Sequence, residues 1–382
     1  MRKRAGVIIL LVLCYALGVL SAFYFPFRAV HVDALLIRLL GGKVPPFLAE
    51  RTFKQTVWYV TDRKQGPSTG GNVSYLGEYA GEVSHGLIKL EIPEDRELGS
   101  LIGATAIKNV EPISRAQFVK SLQQQSAKPV VIWIHGYKAS FINNITDYAQ
   151  IACDLDMDAN FVTFDWTSTG SPTDFTRDVF QLKRSTEHLA NLLETISNEV
   201  KPSKIVVLAH SLGSDLTCLA LQKLYNDPKA KNLKLDHVIL LVPTVERDDF
   251  DQTFKSELQA MVKRLTVYVL SGDPALLLSK LLYDIDAIGL PENFSPHPKP
   301  ETDPSEIQAF LYYQKQLPDK IDLIDVSYFE KKHTFTKHRI YRERPVLEDM
   351  FWLIQDDYPA EKRYLVKFGS NQTPIDYWLI PP

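Results

Sequence analysis

Short runs of apolar residues recur along the chain, separated by stretches with helical spacing. The runs stand at 129–134, 160–164, 204–209, 237–242, 264–270 and 321–328. Between the second and third runs, residues 180–200 have the spacing of an amphipathic helix. Strands that are apolar at every position are typical of a parallel sheet covered on both faces. The pattern therefore predicts an α/β fold with a mostly parallel sheet flanked by helices.

Two more strands are predicted before these runs. Residues 56–60 are β-branched and aromatic, and residues 85–92 form a second run of this kind, which Pro93 ends. The glycine-rich stretch between them, from Gly66 to Gly81, is predicted to be a loop.

A further apolar stretch, near the amino terminus, is longer than any of the six runs described above. Residues 5–25 are 21 positions without a formal charge, and a helix of this length spans the roughly 30 Å hydrocarbon layer of a bilayer. Arg2, Lys3 and Arg4 precede it, whereas only Arg28 closely follows it. By the positive-inside rule, we expect a single-pass protein of the cytoplasmic membrane, with its amino terminus in the cytoplasm and the remainder outside.

A cleaved secretory signal is the alternative interpretation of the same stretch. Ser21 and Ala22 are small enough for a cleavage site, but Leu20 is a poor residue three positions before the cut. We therefore favour a retained anchor over a secreted protein.

Charge and cysteine content exclude several classes of protein. With 43 Lys and Arg against 46 Asp and Glu, the net charge of −3 provides no basic field for a nucleic acid. The cysteines, Cys14, Cys153 and Cys218, lack the spacing of a zinc site or a disulfide framework. Neither a metal nor a cofactor is expected, and the oligomeric state is not predicted.

The third apolar run leads into a tight turn and an apolar-periodic helix around Ser211. Ala209 and Gly213, two residues before and after it, are small, as the crowded backbone of a nucleophile elbow requires. The following helix points free N–H groups and its positive dipole end toward the hydroxyl. We predict that Ser211 is a nucleophile, that the Leu212 N–H binds the oxyanion, and that His210 points away.

A second oxyanion donor is expected from the loop after the first apolar run. That strand ends in His135-Gly136, and Gly136 permits the backbone to turn. The N–H of Tyr137 is therefore the predicted donor.

A serine nucleophile needs a histidine base and a carboxylate to orient it, in the chain order serine, acid, histidine. Asp273 directly follows the run at 264–270 and is the predicted acid. Asp248 and Asp249, after the preceding run, are the alternative, although they also fit a solvated helix start.

The base has two candidates. His297, His333 and His338 follow Asp273, and His297 lies in a proline-rich segment that places it too loosely. His333 and His338 both lie between the last apolar run and a helix expected near Pro345.

Together these stretches resemble a bacterial branch of the α/β-hydrolase superfamily, catalogued as domain of unknown function 900 and described as esterase- or lipase-like. The resemblance covers Val57 to Trp378. It rests on several motifs in order, at 58–63, 135–137 with 140–141, 164–168 with Gly170, 209–213 and 273–279. Thr167, where proline is common, and a long insertion after Ile288 depart from the family.

The resemblance bears on the choice of base. In this family the final histidine precedes a proline by seven residues, before a helix with an acidic residue, as His338, Pro345 and Asp349 do here. His338 is therefore the predicted base. The family also continues as His-Ser-Tyr, which the sequence after His333 imitates better, so His333 stays an alternative.

These observations divide the chain into a signal anchor at 1–26, a connector at 27–52 and an α/β-hydrolase domain at 53–382. A proline-rich insertion at about 289–319 forms either a lid or a surface elaboration. The predicted function is a serine hydrolase, a carboxylesterase or lipase-like enzyme with a lipid-like or small acyl ester as substrate. Amide hydrolysis and acyl transfer stay open, and the alternative from another class is a catalytically silent binding or scaffold protein at the membrane.

Overall fold

The computed structural model describes residues 52–68, 72–93, 106–171, 173–230, 233–290, 321–327, 338–368 and 377–380. Several predicted features lie outside these ranges. They are the anchor, residues 27–51 of the connector, the insertion beyond residue 290, and His333. Within the described ranges, no helix combines the length and the apolar character needed to cross a bilayer.

One sheet of eleven strands runs through the described residues. The strands are β1 (Thr52–Gln65), β2 (Tyr75–Pro93), β3 (Ala106–Ile113), β4 (Val130–Ile134), β5 (Asn160–Asp165), β6 (Ile205–His210), β7 (Leu235–Leu241), β8 (Val262–Val269), β9 (Ile321–Asp325), β10 (Val366–Phe368) and β11 (Tyr377–Leu379). Their order is β10-β11-β9-β8-β7-β6-β4-β5-β1-β2-β3. Neighbours from β11 to β1 pair in parallel, whereas β2 with β3 and β10 with β11 pair antiparallel. The predicted, mostly parallel α/β sheet is confirmed.

Helices cover both faces of this sheet. They are α1 (Arg115–Gln123), α2 (Phe141–Leu155), α3 (Phe175–Thr195), α4 (Leu212–Asn226), α5 (Arg247–Asp249), α6 (Lys255–Met261), α7 (Pro274–Tyr283) and α8 (Arg344–Asp356). Alternate residues of β4 enter two cores, Ile132 packing with α1, α3, α4 and α6, and Trp133 with α2 and α8. Because β4 is buried on both sides, it is apolar at every position.

The segment from Gly66 to Gly81 is only partly the predicted loop, because β2 already begins at Tyr75. Two glycines of β2, Gly77 in this segment and Gly86 beyond it, mark places where another part of the chain comes close. A Cβ on Gly77 would lie 3.1 Å from the Thr169 carbonyl oxygen, and one on Gly86 would lie 2.1 Å from the Tyr59 ring. Glycine within a strand therefore signals close packing here rather than a turn.

A buried ion pair joins the carboxyl ends of β1 and β5. The Nε of Arg63 donates to Asp165 Oδ2 at 2.6 Å, and both side chains are almost fully buried. The other two guanidinium nitrogens of Arg63 donate to the carbonyl oxygens of Ser168 at 2.6 Å and Ala139 at 2.8 Å. Burial alone would raise the pKa of Asp165, but Arg63 and then His135 lower it to about 2. One guanidinium therefore fixes the loops that follow β4 and β5.

Substituting Arg63→Met is expected to lower the free energy of unfolding by about 3–5 kcal/mol, because it leaves a buried carboxylate without its partner. The matched control is Lys64→Met, since Lys64 pairs with Glu78 at 3.0 Å but both side chains are more than half exposed. That change is expected to cost less than about 1 kcal/mol. Urea unfolding measures both, and equal losses would contradict the role given to Arg63.

Candidate active site

The turn between β6 and α4 holds Ser211 in a rare backbone conformation. Its φ is 51° and its ψ is −125°, a combination that a residue with a side chain adopts only under constraint. The Ser211 N–H donates to the Leu241 carbonyl oxygen at 3.0 Å, which ties the turn to the end of β7. A Cβ on Gly213 would lie 2.5 Å from the carbonyl oxygens of Ile134 and His135. Only glycine fits there, as the elbow motif predicts.

The loop after β4 lies directly against this serine. A Cβ on Gly136 would lie 2.9 Å from Ser211 Cβ and 3.0 Å from His210 Nδ1. Among the described residues, the N–H groups of Tyr137 and Leu212 have no hydrogen-bond acceptor. Both donors remain available to an oxygen beside Ser211.

His135 fixes the start of this loop. Its ring is stacked on Trp166, with 5.1 Å between centroids. One ring nitrogen lies 2.8 Å from the Gly136 carbonyl oxygen and the other 3.1 Å from that of Trp166. The Trp166 indole N–H donates to the His135 carbonyl oxygen at 2.7 Å. This histidine is a buried support rather than an accessible base.

The buried carboxylate of Asp178 holds the next part of the loop. It accepts hydrogen bonds from the Lys138 N–H at 3.4 Å, the Thr169 N–H at 2.8 Å and the Ser168 hydroxyl at 2.5 Å. Lys138 itself has a φ of 62°. The backbone next to Tyr137 is thus fixed from α3, the helix that carries Asp178.

Asp273 and His338, which are 65 positions apart, form a pair. The His338 Nδ1 donates to Asp273 Oδ2 at 2.9 Å, while Asp273 Oδ1 accepts the N–H groups of Ala275 and Leu276, each at 2.9 Å. Burial favours a raised pKa for Asp273, but the charge and hydrogen bond of His338 and then these N–H groups lower it below its usual range. The ionised carboxylate both caps α7 and orients the imidazole.

His210 supports His338 from the other side. Its Nε2 lies 2.9 Å from the His338 carbonyl oxygen, and the two rings are 4.7 Å apart. Burial first, and then His338, lower the pKa of His210 well below its usual value. His210 is therefore neutral at pH 7, and because a carbonyl only accepts, its proton must be on Nε2. The residue before the serine thus holds the backbone of His338.

The residues after His338 are bound to α2. Arg342 and Arg339 both pair with Asp147, the latter at 3.3 Å. The Tyr341 ring packs edge-on against Trp133 at 5.1 Å and against His210 at 4.9 Å. The turn that presents His338 is therefore fixed on two sides.

Of the predicted site residues, Ser211 and Leu212 are consecutive, Gly136 beside Tyr137 packs against Ser211, and Asp273 pairs with His338. The Ser211 hydroxyl and the His338 imidazole do not hydrogen-bond to each other in this structure. Asp248 and Asp249 are exposed in α5, where the Glu246 carboxylate caps their N–H groups at 2.8 and 3.2 Å. Neither contacts His338 within the described residues, and the choice between His338 and His333 is still a prediction.

Several residues that support the site are not among those that the sequence predicts. Arg63 and Asp165 fall in motifs that carry the family resemblance. A charged residue inside an otherwise apolar strand is the sequence feature that could have identified them. For Asp147, Asp178 and the bond from His210 to His338, the sequence carries no local signal, because their partners are distant in the chain. Among the described residues, no cluster of three His, Cys, Asp or Glu side chains has the arrangement of a metal site.

A parallel sheet with a strained serine between a strand and a helix defines the α/β-hydrolase fold. The chain belongs to the family described as alpha/beta hydrolase of unknown function (DUF900), whose model matches residues 111–355. An uncharacterized protein of Nostoc sp. is 26% identical over 48% of this chain. The match covers 62% of that relative's length.

Two solved structures are similar to this chain at lower sequence identity. An uncharacterized protein from Bacillus cereus has 13% identity and a TM-score of 0.35, with 61% of each chain covered. A fungal esterase from Rhizomucor miehei has 12% identity and a TM-score of 0.33, with 81% of this chain and 85% of that chain covered.

The strain at Ser211 has a measurable consequence. Ser211→Gly and Ser211→Ala both remove the hydroxyl, but only glycine adopts a positive φ without a steric cost. The strain is worth about 1–3 kcal/mol, and glycine loses about 0.5–1 kcal/mol in backbone entropy. We expect the glycine variant to be more stable than the alanine variant by about 1 kcal/mol in urea unfolding. An alanine variant of equal or greater stability would show that the turn is not strained.

Proposed function

We propose that this protein is a serine hydrolase of the carboxylesterase or lipase-like type, with Ser211, His338 and Asp273 as its triad. The pairing of Asp273 with His338, whose backbone is bound by His210, the residue before the strained Ser211, is the observation that carries the proposal. A buried carboxylate that accepts from Nδ1 leaves Nε2 of a neutral imidazole as a lone-pair acceptor. This is the arrangement that a serine base requires.

The proposed reaction begins with the transfer of the Ser211 hydroxyl proton to His338 Nε2. The serine oxygen then attacks the carbonyl carbon of the ester, and Asp273 stabilises the charged imidazole. When the tetrahedral intermediate collapses, the imidazole gives its proton to the leaving alcohol. Water, activated by the same imidazole, releases the acid and restores the serine.

The oxyanion of each intermediate is proposed to bind the N–H groups of Leu212 and Tyr137. The first lies at the start of α4, where the helix dipole also favours negative charge. The second lies in the loop that His135, Arg63 and Asp178 fix. Donors that are already in place need no reorganisation during the reaction, and one such donor is worth about 2.7–4 kcal/mol.

We also propose that residues 1–26 anchor the domain to the outer face of the cytoplasmic membrane. The uncharged stretch at 5–25 and the cations before it support this location. Lipid-like esters would be accessible to the enzyme there.

A catalytically silent scaffold is the second candidate, because a fold alone does not fix an activity. The two explanations differ in what they require of Ser211. A scaffold has no reason to keep a serine in a strained conformation beside two free N–H donors, and this observation favours the enzyme.

The first test is labelling of the full-length protein with a fluorophosphonate probe, which reacts with an activated serine. We expect the wild type to be labelled and Ser211→Ala to be unlabelled. Cys218→Ser, a change in the same helix away from the turn, is the control and should keep the label. A wild type without Ser211-dependent labelling would favour the scaffold.

The second test concerns the acid. Asp273→Asn keeps the size of the side chain but loses the charge that orients His338, and we expect kcat on a soluble ester to fall by about 10⁴. Asp249→Asn, at the alternative acid, should change kcat less than twofold. If Asp249→Asn loses activity and Asp273→Asn keeps it, Asp249 in α5 is the acid instead.

The same variant has an effect on stability with a defined sign. Because the pKa of Asp273 is lower in the folded protein, its carboxylate stabilises the fold above the unfolded-state pKa of about 3.9. This contribution is lost as the pH falls through the lower folded-state value. The stability difference between wild type and Asp273→Asn in urea unfolding should therefore shrink below about pH 4.

The base is tested by a pair of variants. His338→Ala is expected to lose labelling and about 10³–10⁴ in kcat, whereas His333→Ala should keep both. Loss of activity in His333→Ala alone would assign the base to that residue.

A further inference from the structure

Helix α7 is unusually apolar on its exposed side. The large apolar side chains that it leaves in contact with solvent are Leu277, Leu278, Leu281, Leu282 and Tyr283. Leu281 is 80% exposed, and the residues of the helix that are buried are Leu276 and Ser279. Contiguous apolar surface of this kind on a soluble domain marks a site that binds something apolar.

Both ends of α7 touch the candidate active site. At its amino-terminal end, Asp273 caps the helix and binds His338. At its carboxyl-terminal end, the Tyr283 ring is stacked on Phe175 at 4.5 Å, and Phe175 packs edge-on against Tyr137 at 5.4 Å. The apolar surface is thus continuous with the residue whose N–H is proposed to bind the oxyanion.

We infer that this surface, defined by Leu277, Leu278, Leu281, Leu282 and Tyr283 of α7 and by Phe175, binds the acyl chain of a long-chain ester. The inference rests on the proposed function and adds a substrate class to it.

The dimensions agree with this occupant. The ten residues of α7 give a helix about 15 Å long at 1.5 Å per residue. An extended chain of about twelve carbons has a similar length. A carbonyl carbon held at Ser211 would place the start of such a chain beside Tyr137 and Phe175, and the remainder along α7.

The chemistry of the surface also favours an acyl chain. Between Pro274 and Tyr283 there is no acidic residue and one basic residue, Lys280. The peptide groups of a helix are bonded internally, so the leucines offer a ligand no hydrogen-bonding group. Acidic residues border the helix at Asp284 and Asp286, the latter paired with Arg247 at 2.7 Å. These charges disfavour an anionic ligand and leave the neutral acyl part of an ester as the best fit.

The test compares two esters on the full-length protein in the same detergent buffer, p-nitrophenyl acetate and p-nitrophenyl dodecanoate. In the double variant Leu278→Ser with Leu281→Ser, we expect kcat/KM for the dodecanoate to fall roughly tenfold or more, since each lost apolar contact weakens chain binding. The value for the acetate should change less than twofold. The conservative variant Leu281→Phe should keep the preference for the long ester.

The matched control is Tyr225→Ser, which removes an exposed aromatic side chain, 47% exposed, near the far end of α4. It should leave both esters unaffected. Equal losses on both esters in the double variant, or no loss on either, would overturn the acyl-chain assignment.

Other occupants of the surface give different results. If another segment of the chain or a second copy covers α7, the double variant will lower the melting temperature or the mass in light scattering without changing the ratio of the two esters. Either result would also overturn the inference. Absence of Ser211-dependent hydrolysis of the acetate would instead refute the proposed function.

Discussion

The backbones that follow β4 and β6 lie so close together that no side chain fits between them. Gly213 packs on the carbonyl oxygens at the end of β4, and Gly136 packs on Ser211 itself. This contact places the serine beside the N–H groups of Leu212 and Tyr137. It also explains why Ser211 has a positive φ, since the chain must reverse sharply to leave the strand and enter α4. The remaining supports act on one of these two turns or on His338.

Those supports are mostly buried charges. Arg63 with Asp165, and Asp178 with the N–H groups around it, hold the loop after β4. Asp273, together with the partly buried Asp147, holds the turn that carries His338. A buried charge is costly unless it is paired, so each of these groups tolerates few alternative arrangements of its loop. Precision at the site is therefore obtained from electrostatic contacts, while the sheet and its two apolar cores supply the stability.

The sequence predicts those parts of the molecule that depend on local patterns. Strands β4 to β9 are runs of apolar residues, and the elbow is a strand, a small-residue turn and a helix in register. The first half of β2 could not be predicted, because Gly77 is required by the approach of the Thr169 backbone and not by its own neighbours in the chain. The bond from His210 to the His338 backbone joins residues 128 positions apart. Nothing in the sequence near either residue indicates it.

The Asp273 carboxylate has two structural roles, since one oxygen caps α7 and the other accepts a hydrogen bond from His338. Helix α7 rests on the domain by few buried side chains, so it belongs to the segments that open before the sheet does. Once its first turn frays, the carboxylate has no fixed position, and the imidazole loses its orientation while the core is still folded. Heat inactivation should then occur below the temperature of global unfolding. An apolar ligand on α7 would oppose this fraying, so the acyl ester proposed as substrate would protect the protein against inactivation.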